Sequence, residues 1–194
     1  MEYSQPIKIP DGRYYLKVSK GGERVFYQLN KVQLMDDGLF SSKDISFQMN
    51  EMSQSIIAAV DQELVQQAVT SKMDWFGKEI SDETISKAYQ STLEGAVFQA
   101  PLATVNGKAV TVAYDSQKAS VDMTTLQKGA TLDILVELAG LWFLKKSFGP
   151  IFRIAQIRVA APPVQKKSFP TEYLFDDAPQ DEVEEEDSPN DYLD

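Results

Sequence analysis

Residues 138–171 contain no acidic side chain, and six basic ones fall among them: Lys145, Lys146, Arg153, Arg158, Lys166 and Lys167. Trp142, Phe143, Phe148, Phe152 and Phe169 are interleaved with these cations. Basic side chains mixed with aromatic rings on a curved sheet suit single-stranded nucleic acid. The cations track phosphates, and flat rings accept unstacked bases whatever their sequence. Adjacent residues of a strand face opposite ways, so one of Trp142 and Phe143 belongs to the core. Trp142 and Phe148 are read as nearer a ligand, with Phe143 and Phe152 less so. The competing reading is that all four rings pack the interior while the lysines keep the surface wet.

The first 35 residues repeat this composition more weakly. Lys8, Arg13, Lys17, Lys20, Arg24 and Lys31 stand there with Tyr3, Tyr14, Tyr15, Phe26 and Tyr27. Tyr14 and Tyr15 are neighbours, so a strand turns at least one of them outward. With Lys17 and Arg24 they join Trp142, Phe148, Lys145, Lys146, Arg153 and Arg158 as candidate nucleic-acid contacts.

What is missing narrows the chemistry. The chain has neither cysteine nor histidine. That removes disulfides, Cys or His metal sites, histidine general bases and Cys-His or Ser-His-Asp nucleophiles. No phosphate-binding loop, dinucleotide fingerprint, Ca²⁺ loop or zinc spacing occurs. Asp36-Asp37-Gly38 pairs two carboxylates, but such a triplet reads as a solvated turn. Asp133 and Glu137 share a strand face about 13 Å apart, too far for a metal pair or a glycosidase dyad. The expectation is a binding protein with no catalytic residues, metal or cofactor.

The formal charge of −10 misleads as a sum. Residues 171–194 hold eleven acidic side chains and no basic one, which leaves 18 acidic and 19 basic residues in 1–170. A polyanion tethered to a basic groove competes with nucleic acid at high effective concentration. The last four residues, Asp191, Tyr192, Leu193 and Asp194, set apolar side chains among acids and are read as a docking tip for replication or repair proteins. A plain solubilising tail is the alternative. Without a leader-like start or an uncharged apolar run, an intracellular protein with no membrane partner is expected.

The elements that would position these residues are mostly strands. Residues 13–19 and 23–34 flank the turn at Lys20-Gly21-Gly22, and a short strand covers Ile45 to Met49. Asn50 caps a long helix ending near Lys72, with Met52, Ile56, Val60, Leu64 and Ala68 as its apolar face and Ile57 and Val65 beside them. Gly77 closes that segment, and Ser81 caps a shorter helix. Strands at 96–105 and 108–114 flank Asn106-Gly107. A strand from Thr131 to about Lys145 buries Leu132, Ile134, Val136 and Leu138, and Gly140 in mid-strand marks a bulge or a bend. Ser147 to Pro150 forms a turn, and Ile151 to Ala161 is the last strand. The pattern predicts a mainly β fold: an OB-fold-like small antiparallel barrel over 1–167 with a helical insertion at about 50–93. A disordered acidic tail over 168–194 follows. The long helix is read either as a dimer face or as a barrel cap.

The run from Gly129 to Val159 resembles the C-terminal strand pair of single-stranded-DNA-binding proteins of nucleocytoplasmic large DNA viruses. The matching positions are Gly140, Leu141, Trp142, Phe143, Lys146, Ser147, Phe148, Gly149 and Gln156. The resemblance implies an OB-fold that binds exposed single strands without catalysis during viral DNA replication, recombination or repair. It would place the protein where viral DNA is copied, in the nucleus or a cytoplasmic viral factory. A protein-interaction or scaffold module is the alternative.

Overall fold

The computed structural model describes residues 1–10, 12–40 and 42–159. They belong to the first of two units into which the chain divides, Met1–Val164 and Gln165–Asp194. The expected tail, its tip at Asp191 to Asp194, and Lys166, Lys167 and Phe169 lie outside the described residues.

Thirteen strands, three α-helices and one short 3₁₀ turn make up the described residues. They run β1 (Glu2–Tyr3), β2 (Ile7–Lys8), β3 (Tyr14–Ser19), β4 (Val25–Leu34), β5 (Ile45–Gln48), α1 (Glu51–Thr70), α2 (Lys72–Phe76) and α3 (Asp82–Ala88). Then come β6 (Leu93–Glu94), β7 (Val97–Ala100), β8 (Thr104–Val105), β9 (Lys108–Ala109), β10 (Val112–Tyr114), β11 (Ser120–Val121), β12 (Thr131–Phe143) and β13 (Phe148–Val159). The class is mainly β and OB-like, with the helices inserted between β5 and β7.

β12 is the spine. It pairs antiparallel with β13 along one edge. Along the other it pairs with β4 up to Leu138 and with β3 from Gly140 onward. Leu132, Ile134, Val136 and Leu138 are fully buried, as strict alternation requires. A register shift between Leu138 and Gly140 then resets the alternation. Beyond it Leu141 and Phe143 point inward and Trp142 points out. Gly140 sits where a Cβ would come 2.1 Å from the Leu16 carbonyl oxygen, so the bend admits no side chain there.

The principal ladder runs β11-β10-β13-β12-β4-β5-β7-β6 and does not close into a barrel. The segment just after β7 makes an isolated bridge to β13, Leu102 to Ile154. Two backbone bonds support it: Ile154 N–H donates to Pro101 O (2.8 Å), and Ala103 N–H donates to Ile154 O (3.0 Å). The strands expected at 96–105 and 108–114 are accordingly broken into four. The β8–β9 hairpin turns on Asn106 and Gly107, both at positive φ (51° and 77°). β10 then rejoins β13 in parallel.

Two local expectations change. α1 starts at its Asn50 cap, whose Oδ1 accepts the Ser53 N–H at 2.9 Å, but it buries Ser53, Ile57, Val60, Leu64 and Ala68. Met52 is 72% exposed. A strict four-residue repeat overshoots the helical turn by about 40° per step, so it drifts off any single face. The observed set inserts one three-residue step and stays in line. Ser53 Oγ donating to Asn30 O (3.2 Å) ties that side to β4. The second change concerns the turn before the last strand, which is Leu144 to Ser147, closed by Leu144 N–H donating to Ser147 O (2.8 Å). Phe148 is therefore the first residue of β13.

Candidate nucleic-acid interface

The outward side chains of β12 are Asp133, Leu135, Glu137 and, past the bulge, Trp142. Residues opposite one another in a ladder share a face. Arg158, Gln156, Arg153 and Gly149 of β13 stand opposite these four in turn. On the other edge Leu135 faces Gln28, Glu137 faces Phe26, and Trp142 faces Tyr15. Asp133 to Trp142 spans about 30 Å of strand.

Two aromatic rings at one end of this face lie down on glycines. A Cβ on Gly149 would come 3.1 Å from Cζ2 of Trp142, and one on Gly140 would come 2.6 Å from Cε2 of Tyr15. Removing a side chain from the neighbouring strand lets each ring lie along the sheet rather than stand up from it. Tyr15 is pinned further by its hydroxyl, which donates to Ala139 O at 2.9 Å. Burial pushes the Tyr15 phenol above its ordinary pKa, Arg153 pulls it back and Glu137 adds to the rise. The phenol stays protonated and holds its bond. Together Tyr14, Tyr15 and Trp142 line a cavity of about 480 Å³ whose charged lining residues are Arg13, Lys43, Asp44 and Glu94.

The charges along the face are organised in pairs. Arg158 grips Asp133 Oδ2 through Nε (2.9 Å) and Nη2 (2.5 Å). Asp133 Oδ1 also accepts the Lys31 N–H at 2.8 Å. Arg24 Nε lies 3.7 Å from Glu137, itself only 8% exposed. Arg153 stands opposite Glu137 in register. Asp133 holds the Arg158 guanidinium by two hydrogen bonds, and that side chain is still half exposed to solvent. Asp133 and Glu137 are thus occupied by arginines. Among the described residues no cluster of three or more metal-ligating side chains exists. No helix among them is long and apolar enough to cross a membrane.

The structure brings Tyr14, Tyr15, Lys17, Arg24, Trp142 and Arg153 to one stretch of surface, with Arg158 at its far end. Lys145 and Lys146 are placed apart from Trp142. They line a second cavity of about 680 Å³ between α2, α3 and the 144–147 turn. Tyr14, 46% exposed, borders both cavities.

Phe148 corrects the sequence reading. It is 1% exposed and stacks on Phe143 with centroids 5.6 Å apart and planes at 7°. Phe76 and Tyr89 close on it edge-on, so no face is left for a base. Starting β13 at Phe148 sets it inward, whereas a turn residue there would be free to project. Phe143 and Phe152 are buried too. Sequence reasoning missed Lys43, which sits in a loop and carries no periodic signal. It named Phe26 among the aromatics of the first 35 residues without assigning it to this face, and it passed over Gln28. The period-two placement of both on β4 beside Val25 and Leu29 was the available signal.

Solved structures similar to this chain include the single-stranded DNA-binding protein from bacteriophage Enc34. At 8% identity it covers 81% of this chain and 96% of its own, with a TM-score of 0.44. Its C-terminal truncation has the same identity and score and covers 74% and 93%. The same protein in complex with single-stranded DNA covers 80% and 93%, again at 8% identity and 0.44. A likeness at this level says nothing about what the present chain binds. No curated protein matches the sequence. The family model described as "Family of unknown function (DUF5871)" matches residues 30–177.

Proposed function

This chain belongs to that family of unknown function, and we propose that it binds single-stranded DNA without regard to sequence, along the outward face of β12. One observation carries the reading. Tyr15 and Trp142 lie over glycines, side by side in register, in a cavity whose lining includes the cations Arg13 and Lys43 together with Asp44 and Glu94. Flat rings stack unpaired bases, and neighbouring cations neutralise phosphates. A duplex hides its base faces, so this geometry favours single strands.

The finer reading is that the binding serves viral DNA replication, recombination or repair. It is supported by the motif from Gly140 to Phe143, Lys146 to Gly149 and Gln156. Two of those glycines seat the rings, Leu141, Phe143 and Phe148 fill the core beneath, and Trp142 faces out. The acidic residues 171–194 are the part suited to recruiting replication or repair proteins.

The test is a fluorescence-anisotropy titration of a labelled oligonucleotide, single-stranded against duplex, at two salt concentrations. The single strand should bind more tightly, with a log–log salt slope of about 0.7 per phosphate neutralised. Equal affinity for both forms, or binding indifferent to salt, would count against the proposal.

A further inference from the structure

The far end of the same face holds a third cavity, of about 360 Å³, that the Trp142 site does not use. Its floor is Leu135, flanked in register by Gln28 on β4 and Gln156 on β13. Two strand spacings put these glutamines about 10 Å apart across the floor. Tyr114 of β10, opposite Arg158 in the parallel ladder, walls one side. Arg158, held by Asp133, and Lys118 supply positive charge at the rim. Lys118 is set in place by its loop. Asp115 Oδ1 accepts the N–H groups of Gln117 (2.8 Å) and Ala119 (2.9 Å), with Lys118 at φ 65° between them.

The two amides differ in what they can still do. Gln28 Nε2 already donates to Asn30 Oδ1 at 2.6 Å. Gln156 is exposed, and its amide has no partner among the described residues. A free amide carries a donor and an acceptor side by side, and turning it over exchanges them. It can therefore meet the edge of any base.

We propose that this cavity is a second nucleotide subsite, in which a base rests against Tyr114 and Leu135 with its edge on Gln156 and its phosphate near Lys118 and Arg158. The inference rests on the single-strand reading above and extends it. About 20 Å of strand separates Leu135 from Trp142, so a bound chain would be gripped by its bases at both ends of β12 and by its phosphates between.

The experiment compares the full chain with Gln156→Ala and Tyr114→Ala, and uses Trp142→Ala to report on the first site. The probes are a labelled oligothymidine of about 16 nucleotides, the upper end of an OB-fold's site size, and an abasic deoxyribose-phosphate chain of equal length. Both subsite variants should lose about tenfold in affinity for oligothymidine while binding the abasic chain as the parent does, with the salt slope unchanged. Gln156 is exposed, so its variant keeps the test valid if loss of Tyr114 disturbs packing. If Gln156→Ala binds oligothymidine like the parent while Trp142→Ala is weakened, the subsite is refuted and the single-strand reading stands. Equal losses on both probes also refute base recognition here. If the parent chain does not prefer single strands to duplex, the reading beneath the subsite falls and takes the subsite with it.

Discussion

Trp142 and Phe148 stand at the two sides of one tight turn, six residues apart in the same aromatic run, and the fold treats them oppositely. Phe148 joins Phe143, Phe76 and Tyr89 in a closed aromatic cluster. Trp142 is left outside, lying over Gly149. Around this turn both faces carry aromatic rings, and aromatic composition does not tell an inner ring from an outer one. Backbone phase does. The shift between Leu138 and Gly140, and the start of β13 at Phe148, decide which ring is structural and which is offered to a ligand.

The largest effect should come from the inner face. Phe148→Ala removes a fully buried ring and should cost about 3–5 kcal/mol of stability, read by denaturant unfolding. Next is Gly149→Ala, which joins the two faces. Its Cβ would meet the Gln90 carbonyl oxygen at 2.3 Å and crowd Trp142. It should cost about 2 kcal/mol of stability and weaken oligonucleotide binding as well. Trp142→Ala should lower single-strand affinity by about 1–3 kcal/mol, measured by anisotropy. Its unfolding midpoint should stay close to the parent's, the reverse of Phe148→Ala. The smallest effect belongs to Arg153→Ala, which should reduce the salt slope by about 0.7 and leave base stacking alone. Removing 171–194 changes the comparison from outside. It takes away eleven negative charges, so affinity for any polyanion should rise, most at low salt.

Much of this was legible from the chain alone, and the gaps have physical causes. Alternation at Leu132, Ile134, Val136 and Leu138 fixes a buried face because one side of the sheet is dry. Asn50 and Ser81 are readable as caps because their side chains satisfy specific N–H groups, those of Ser53 and Thr84. Gly140 is readable as a bulge or a bend, but the resulting phase is not, since a bulge shifts phase without altering composition. The same holds for α1. A list of apolar residues four apart picks Met52 and Ile56, and only the contact of Ser53 with Asn30 shows which way the helix is turned. At the site, cations and rings were identifiable, yet Lys145 and Lys146 went to a different cavity from Trp142. The charge pairing of Arg24 with Glu137 and Arg158 with Asp133 depends on cross-strand register, which no local pattern encodes.

The chain's two tryptophans offer the most direct measurement of the central claim. Trp75 is buried against Tyr3 and Phe143, while Trp142 faces the cavity. Intrinsic fluorescence followed during titration with a single-stranded oligonucleotide therefore reports chiefly on Trp142. The account predicts strong quenching in the parent chain that is lost in Trp142→Phe, although that variant keeps a ring and still binds. Quenching that survives in Trp142→Phe, or saturated binding with no change in emission, would contradict the claim that bases stack on the outward face of β12.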